Sequence, residues 1–339
     1  MKPVLARVIR REALTAEEAR DLMRGVVTGT IDTAFLAGLL VALECKGVTG
    51  RELHAFAEGL REMSPEFSRP EGEIVDTCGT GGDGAHTFNV SSASAVLLAT
   101  MGLRVAKHGN RSVSSSCGSA DVLEAVGVPI DLGPDPSARL LRDAGFAYLH
   151  APIHHPGVAQ AGPARRALGV RTVFNRLGPL LNPARPSHQL VGVFGMEAAL
   201  PMAEALALAG TQRALVVHGD GTDEIAAHGR TEGYEVRDHR IIPFSFDPRS
   251  ANFSLAPLDA LRVRSKQDAV DRFDALISGR GREADRLAVA LNAGSVLWLT
   301  GRSQTLAEGA LRVMEVLKTD EPMNLILRLR GLTLETQHA

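Results

Sequence analysis

"EIVDTCGTGGDGAHTFNVSSASAVLLATMG", residues 73–102, joins an apolar β-like run to a small-residue helical run through Gly79, Gly81, Gly82 and Gly84. Glycines let backbone N–H groups approach an anion closely, and a helix starting near Ser91 would add the favourable end of its dipole. The stretch matches neither the Walker pattern, which ends in GK[ST], nor the dinucleotide fingerprint GxGxxG. Its plain alternative is a tight turn between strand and helix. Asp83, Asn89, Ser91 and Ser92 favour the phosphate loop, because oxygen donors beside such a loop suit Mg²⁺, which takes a few hard ligands together with substrate oxygens.

The same rhythm continues downstream. "LRVAKH" (103–108), "FAYLHA" (146–151), "HQLVGVF" (188–194) and "RALVVHG" (213–219) read as strands, with helical runs such as 119–127, 137–145 and 196–210 between them. Alternation of this kind predicts an α/β fold with a mainly parallel sheet, whose ligands sit beyond the carboxyl ends of the strands. Upstream, residues 3–63 read as short helices, with Thr15 as an N-cap and Gly29 as a stop. The Pro-, Ser- and charge-rich "MSPEFSRPEGE" (63–73) reads as a linker. The expected architecture is therefore a small N-terminal helical domain, residues 1–66, and a larger α/β domain, residues 74–339. The tail from 281 to 329 is again helical.

Composition narrows the functions open to such a chain. With 37 Lys and Arg against 39 Asp and Glu, the net charge of −2 over 339 residues gives no field that would attract nucleic acid or an anionic membrane. Cys45, Cys78 and Cys117 form no CxxC pair, which argues against a disulfide framework or a structural zinc site and fits a reducing cytoplasm. The N-terminus does not read as a secretory signal, and "AFLAGLLVALEC" (34–45) is too short to span a bilayer.

Three further stretches carry chemistry. "KHGNRSVSSSCGSAD" (107–121) follows a strand and sets Lys107 and Arg111 among hydroxyl and amide side chains, a combination suited to phosphate. A polar surface loop is its alternative. "HGDGTDEI" (218–225) places Asp223 and Glu224 just after another strand, where adjacent carboxylates bind a divalent metal or simply form a solvated turn. "HHPGVAQAGPARRALGVRTVFNRLGPLLNP" (154–183) offers His154, His155, Arg165, Arg166 and Arg171 among apolar residues. An arginine there can grip a planar carboxylate with two parallel bonds. The histidines lack HExxH spacing and read as packing or as the wall of a pocket.

In order and spacing, "GTGGDG", "TFNVSSASA", "KHGNRSVSS", "GSADVLEAVG", "RRALGVRTVFNRLGPLLNP" and "GTDEI" resemble the motifs of the anthranilate phosphoribosyltransferases, over nearly the whole chain. The resemblance implies a nucleoside-phosphorylase-like fold in which part of 170–190 joins the helical domain, a homodimer associating through the helical domains, and a cytoplasmic enzyme of tryptophan biosynthesis. It implies two substrates, 5-phosphoribosyl 1-pyrophosphate (PRPP) and anthranilate, with two Mg²⁺ ions and neither nucleic acid nor membrane as partner. Matched by motif, the PRPP contacts would come from Gly79, Gly82, Asp83, Thr87, Asn89, Val90, Ser91 and Ser92 in the first loop, and from Lys107, His108, Gly109, Asn110, Arg111, Ser112, Val113, Ser114, Ser115 and Ser119 in the second. Ser91, Asp223 and Glu224 would hold the metal. Gly79, Asn110 and Arg165 would meet anthranilate, Arg165 through its carboxylate. No side chain is implied as nucleophile or as acid or base. Two rivals remain at this point: a pyrimidine nucleoside phosphorylase, which normally has a further C-terminal domain and lacks "KHGNR", and a non-catalytic nucleic-acid binder, which would be basic with damaged metal residues.

Overall fold

The computed structural model describes residues 1–111 and 117–337, with side chains as far as Leu332. Four helices come first: α1 (Lys2–Ile9), α2 (Ala16–Val27), α3 (Thr33–Lys46) and α4 (Gly50–Arg61). Thr15 and Thr49 begin α2 and α4 with capping boxes that use Glu18 and Glu52. Each box satisfies two amides that a helix start leaves unpaired, which fixes where the helix begins. Buried Glu52 also accepts from Leu14 N–H at 2.9 Å and from Lys46 Nζ at 2.8 Å, binding α4 to the segments on either side.

The sheet then starts with β1 (Val75–Gly79), α5 (Val90–Thr100), β2 (Val105–Gly109), α6 (Ser119–Ala125), α7 (Pro134–Ala144) and β3 (Phe146–His150). From β3 the chain leaves the sheet through α8 (Ala151–His154), a 3-10 turn (Pro156–Ala161), α9 (Gly162–Leu168) and α10 (Val173–Leu177). It returns as β4 (His188–Gly192), followed by α11 (Ala199–Leu208), β5 (Arg213–Gly219), β6 (Thr231–Arg237) and β7 (Arg240–Phe246). Helices α12 (Leu258–Leu261), α13 (Lys266–Ile277), α14 (Glu283–Leu299), α15 (Leu306–Val316) and α16 (Glu321–Gln337) close the chain. The strand order is β3-β2-β1-β4-β5-β6-β7, parallel from β3 to β5 and antiparallel through β6 and β7. The mainly parallel α/β sheet predicted above is present; the antiparallel hairpin at its edge is an addition.

Winding runs outward from β1 to β3 on one side and from β4 to β5 on the other, so the topological switch lies between β1 and β4. Such a switch opens a crevice at the carboxyl ends of the strands. One face of the sheet, including Val75, Val105 and Phe146, packs against α5 and α14. The opposite face, including Val191, Val193 and Val216, shares a continuous core with α11 and the N-terminal helices. Ala161, Ala164, Val173, Phe174 and Leu177 of the excursion between β3 and β4 belong to that second core beside Leu39 and Phe56. The part of the excursion that packs on the helices runs from Pro156 to Leu181, and residues from His188 are already strand.

The two connections between helices and sheet run side by side and are stitched together. Arg61 donates to Leu180 O, Arg69 Nε to Ala184 O at 2.9 Å, and Ser187 N–H to Ile74 O at 2.9 Å. His155 stands between them, with Nε2 donating to Leu181 O at 2.6 Å and Nδ1 2.7 Å from Ser64 Oγ. Among the described residues no helix is long and apolar enough to cross a membrane.

Candidate active site

A crevice of about 1200 Å³ opens at the switch, between the ends of β1, β2 and β5 on one wall and the excursion from Ala151 to Leu181 on the other. Its floor is the glycine loop. Gly81, Gly82 and Gly84 take φ values of +63°, +79° and +74°, a region where a Cβ is strained, so the loop depends on glycine for its path. Gly79 is required for a different reason: a Cβ there would run into the carboxylate of Asp223. The far end of the loop is held by backbone pairing, Phe88 N–H to Leu261 O at 2.8 Å and Val263 N–H to His86 O at 2.9 Å, with Thr87 bridged to Arg262. Backbone pairing of this kind is indifferent to side-chain identity.

Lys107 on β2 enters the same space. It is 2% exposed, donates to Thr77 O at 2.6 Å, and lies 3.4 Å from Ser91 Oγ at the start of α5. No carboxylate is recorded within ion-pair distance of it among the described residues. A buried ammonium without a paired anion is costly, and it draws a negative ligand to itself. Its longer-range counter-charge is Asp76, fully buried and hydrogen-bonded by Asn182 Nδ2 at 2.8 Å. Burial pushes Asp76 up to about 6 while Lys107 and Asn182 hold it down.

The acidic pair sits opposite. Asp223 accepts from Gly81 N–H at 2.9 Å, and its own N–H donates to Asp83 at 3.3 Å, so the two aspartates lock the loop to the end of β5. Burial and the nearby charge of Asp83 push Asp223 up to about 7. Burial and Asp223 push Glu224 well above the ordinary range, against the opposing pull of Lys107 and the Ser91 amide. Crowded carboxyls whose ionised forms repel one another are what a divalent cation would relieve. Among the described residues no three His, Cys, Asp or Glu side chains converge on a metal position unaided. That donor set fits Mg²⁺, which keeps open positions for water and phosphate oxygens, better than a cation held in an all-protein cage.

On the facing wall Arg165 is half-buried, 5.4 Å over the Phe174 ring, and no ion pair is recorded for it among the described residues. Loss of hydration alone lowers its pKa. Near it, His108 donates from Nδ1 to Gly178 O at 3.0 Å and packs edge-on to His155 with centroids 5.3 Å apart. Burial pushes both imidazoles down, His155 to about 4, so both are neutral near pH 7. Pro152, Val158 and Ala159 make the surrounding wall apolar.

Gly79, Gly82, Asp83, Thr87, Asn89, Val90, Ser91, Lys107, His108, Gly109, Asn110, Arg111, Ser119, Arg165, Asp223 and Glu224 all line this one crevice. Ser112, Val113, Ser114 and Ser115 lie outside the described residues. Ser92 does not line it: one step along a helix turns a side chain by about 100°, and its hydroxyl is buried without a hydrogen-bond partner while Ser91 faces Lys107. Arg111 lines the crevice, yet its guanidinium is bonded to Glu124 at 2.8 and 2.9 Å and to Asp121 at 3.3 Å. Ser119 Oγ is 2.9 Å from Tyr148 OH, and a Cβ on Gly109 would strike both groups. His154 is buried against Phe67 and does not line the crevice, whereas His155 does. Residues that line the crevice without having been singled out from sequence include Cys78, Cys117, Phe174 and Gly178; all four lie in or beside the quoted stretches, but their orientation is set by contacts distant in the chain.

Comparison with known proteins matches both parts of the fold. Residues 71–321 match the α/β domain of a glycosyl transferase family, and residues 2–64 match the helical bundle domain of the same family. An anthranilate phosphoribosyltransferase from Sorangium cellulosum is 45% identical over 304 residues, covering 90% of this chain and 87% of its own. The enzyme of that name from Aeromonas hydrophila is 42% identical, covering 95% and 94%. A crystal structure of anthranilate phosphoribosyltransferase from Thermus thermophilus superimposes with a TM-score of 0.90 at 37% identity, covering 97% of this chain and 98% of that one. The Saccharomyces cerevisiae enzyme in complex with PRPP and Mg shares the fold, with a TM-score of 0.84 at 23% identity over 94% and 93% of the two chains.

Proposed function

This chain belongs to the anthranilate phosphoribosyltransferase family, and from that premise we propose how its crevice carries the reaction. The protein transfers the phosphoribosyl group of PRPP to the amine of anthranilate in tryptophan biosynthesis, giving N-(5-phosphoribosyl)anthranilate and pyrophosphate. The observation that carries the assignment of sites is what meets across one crevice: crowded, buried carboxyls bonded to a glycine loop on one wall, and an arginine without an ion pair among the described residues on the other.

PRPP lies on the glycine loop, with Gly79, Gly82, Thr87 and Asn89 around it and the buried Lys107 ammonium supplying fixed positive charge. Ser91, Asp223 and Glu224 would hold Mg²⁺, two ions as the family resemblance implies, and Asp83 would add a carboxylate at the rim. When bound there, the metal would neutralise charge on the pyrophosphate leaving group. Anthranilate enters against the excursion, its carboxylate on Arg165 and its ring among Pro152, Val158 and Ala159, with Asn110 and Gly79 at the amine side. Arg111 must exchange its bonds with Glu124 and Asp121 to reach a phosphate.

Catalysis then rests on position and electrostatics. As the bond from the anomeric carbon to pyrophosphate lengthens, positive charge spreads over the ribose and negative charge gathers on the leaving group. The neutral aromatic amine attacks the exposed face, and no protein nucleophile is needed. The helical body, residues 1–66 with the excursion packed on it, closes toward the rest of residues 74–339 about the paired connections and excludes the water that would hydrolyse PRPP. Exposed Ile9 and Val41 on α1 and α3 support a homodimer through that body, and Cys45, Cys78 and Cys117, which form no disulfide among the described residues, suit the cytoplasm. Loss of anthranilate fluorescence on mixing protein, PRPP and Mg²⁺ tests the assignment. Absence of turnover at every Mg²⁺ concentration would refute it.

A further inference from the structure

Arg171 lies between α9 and α10, on segments that pack against the N-terminal helices, yet its side chain crosses the crevice to the glycine loop. Its Nη1 donates to Gly82 O at 2.8 Å, and its guanidinium lies 4.3 Å over the ring of Phe194, just beyond β4. Phe194 is itself fastened to the loop. Its N–H donates to Thr80 Oγ1 at 3.1 Å, and Thr80 N–H donates to Gly192 O at 2.9 Å. A closed circuit results: Thr80 fixes Phe194, Phe194 orients Arg171, and Arg171 returns to the loop two residues after Thr80. Arg176 adds a second cation 5.6 Å from the same ring and pairs with Glu44 of α3 at 2.8 Å.

The circuit matters because of the two residues it encloses. Gly81 and Gly82 both have positive φ and no side chain to resist rotation, so the peptide planes between them and Asp83 flip at little cost. A flipped plane exchanges an N–H for a carbonyl oxygen, and a bare carbonyl repels an anion where an amide would attract it. An oxygen already engaged by a guanidinium does neither freely: its negative end is capped by a cation, and the plane is held in one orientation. The stem of Arg171 adds contact, since a Cβ on Gly82 would meet its Cδ at 3.3 Å.

We propose that Arg171 is a positioning residue that locks the Gly82–Asp83 peptide plane through Gly82 O, so that the glycine loop is ready for the pyrophosphate of the sugar donor before that donor arrives. The proposal rests on the reading of this loop as the PRPP loop, and it assigns Arg171 a role through the loop rather than on either substrate.

Steady-state kinetics of Arg171→Gln, Arg171→Lys and Phe194→Leu, beside titration of each protein with inorganic pyrophosphate and Mg²⁺ in a calorimeter, tests it. Loss of one charge-assisted bond should raise the KM for PRPP and the pyrophosphate Kd in Arg171→Gln about tenfold, with the KM for anthranilate and kcat moving less than about threefold. Arg171→Lys keeps one donor and should recover part of the loss. Phe194→Leu, which removes only the stacking ring, should shift the same two constants in the same direction by less. The double variant should be no worse than Arg171→Gln alone, because both changes open one circuit. Unchanged pyrophosphate affinity in Arg171→Gln overturns the proposal, as does a rise confined to the KM for anthranilate. Additive effects of the two substitutions also overturn it, since they would mean that Arg171 grips the anion directly. The pyrophosphate titration does not need turnover, so a wild-type protein that binds pyrophosphate without transferring ribose would sink the assigned reaction and leave this role standing.

Discussion

Replacing Arg165 by methionine removes a charge and keeps an apolar stem against Phe174. In the unliganded protein this guanidinium has already lost much of its water, as the lowering of its pKa by burial alone shows, and no carboxylate among the described residues answers it. Its desolvation is therefore not incurred again when a carboxylate arrives, and most of the attraction appears as binding. A hydrogen bond to a charged group contributes ~1.5–3 kcal/mol, which corresponds to about a 10- to 150-fold rise in the KM for anthranilate. The KM for PRPP should stay within about threefold, because the donor loop lies on the opposite wall. Thermal stability should hold or rise slightly, since a half-buried cation with no ion pair among the described residues has been removed. Initial rates from the decay of anthranilate fluorescence at saturating PRPP and Mg²⁺, with a melting curve on the same sample, give all three values. An unchanged KM for anthranilate with a raised KM for PRPP would refute the placement of the acceptor.

Asp223→Asn combined with Glu224→Gln should raise the Mg²⁺ concentration for half-maximal rate about tenfold or more, with an unchanged circular dichroism spectrum; equal metal dependence in variant and parent would reject these residues as metal ligands. The pH dependence has a definite sign. Asp223 is raised to about 7, so between its unfolded value near 4 and about 7 the folded state holds more protons than the unfolded, and stability without metal falls as pH rises. Mg²⁺ competes with those protons, so its apparent affinity should weaken as pH drops below about 7; melting curves from pH 5 to 8 with and without Mg²⁺ that show no such crossing would contradict the assignment. Gly79→Ala places a methyl against the Asp223 carboxylate and should abolish most metal-dependent turnover while costing the fold about 1–3 kcal/mol; retention of full activity would show that Asp223 can move aside freely.

The parallel units were legible because their physics is local. Short β-branched runs, small-residue helices and glycine loops between them declare themselves within about ten residues. Ser91, Lys107, Asp223 and Glu224, which all line the crevice, could be picked out as candidates for the same reason, since each stands in or near a strand end or helix start whose chemistry the neighbouring residues announce. The hairpin β6–β7 was missed: β7 is an edge strand with Pro243 inside it and only partial burial, so it lacks the continuous apolar signal of the central strands. Ser92 was included because adjacent hydroxyls look alike in sequence, although a helix sends them to different places. The stack of Arg171 on Phe194 and the backbone pairing of 86–88 with 261–263 had no local signature, being contacts between parts of the chain brought together by the sheet order. The bonding of Arg111 to Glu124 and Asp121 was likewise invisible, because a loop cation shows its charge in the sequence but not its partner.

The excursion from Pro156 to Leu181 has a consequence for how this molecule is made. During synthesis the four N-terminal helices emerge first and could assemble at once, yet Phe174, Leu177 and Ala164 belong to the core they must close. Those residues leave the ribosome more than a hundred positions after the end of α4. Until they arrive the nascent bundle carries an unfilled apolar cleft, and three strands of the sheet have already been made beside it. The helical part thus completes its core only once residues made after the third strand have arrived. Cutting the linker at 63–73 would break the chain without releasing the bundle.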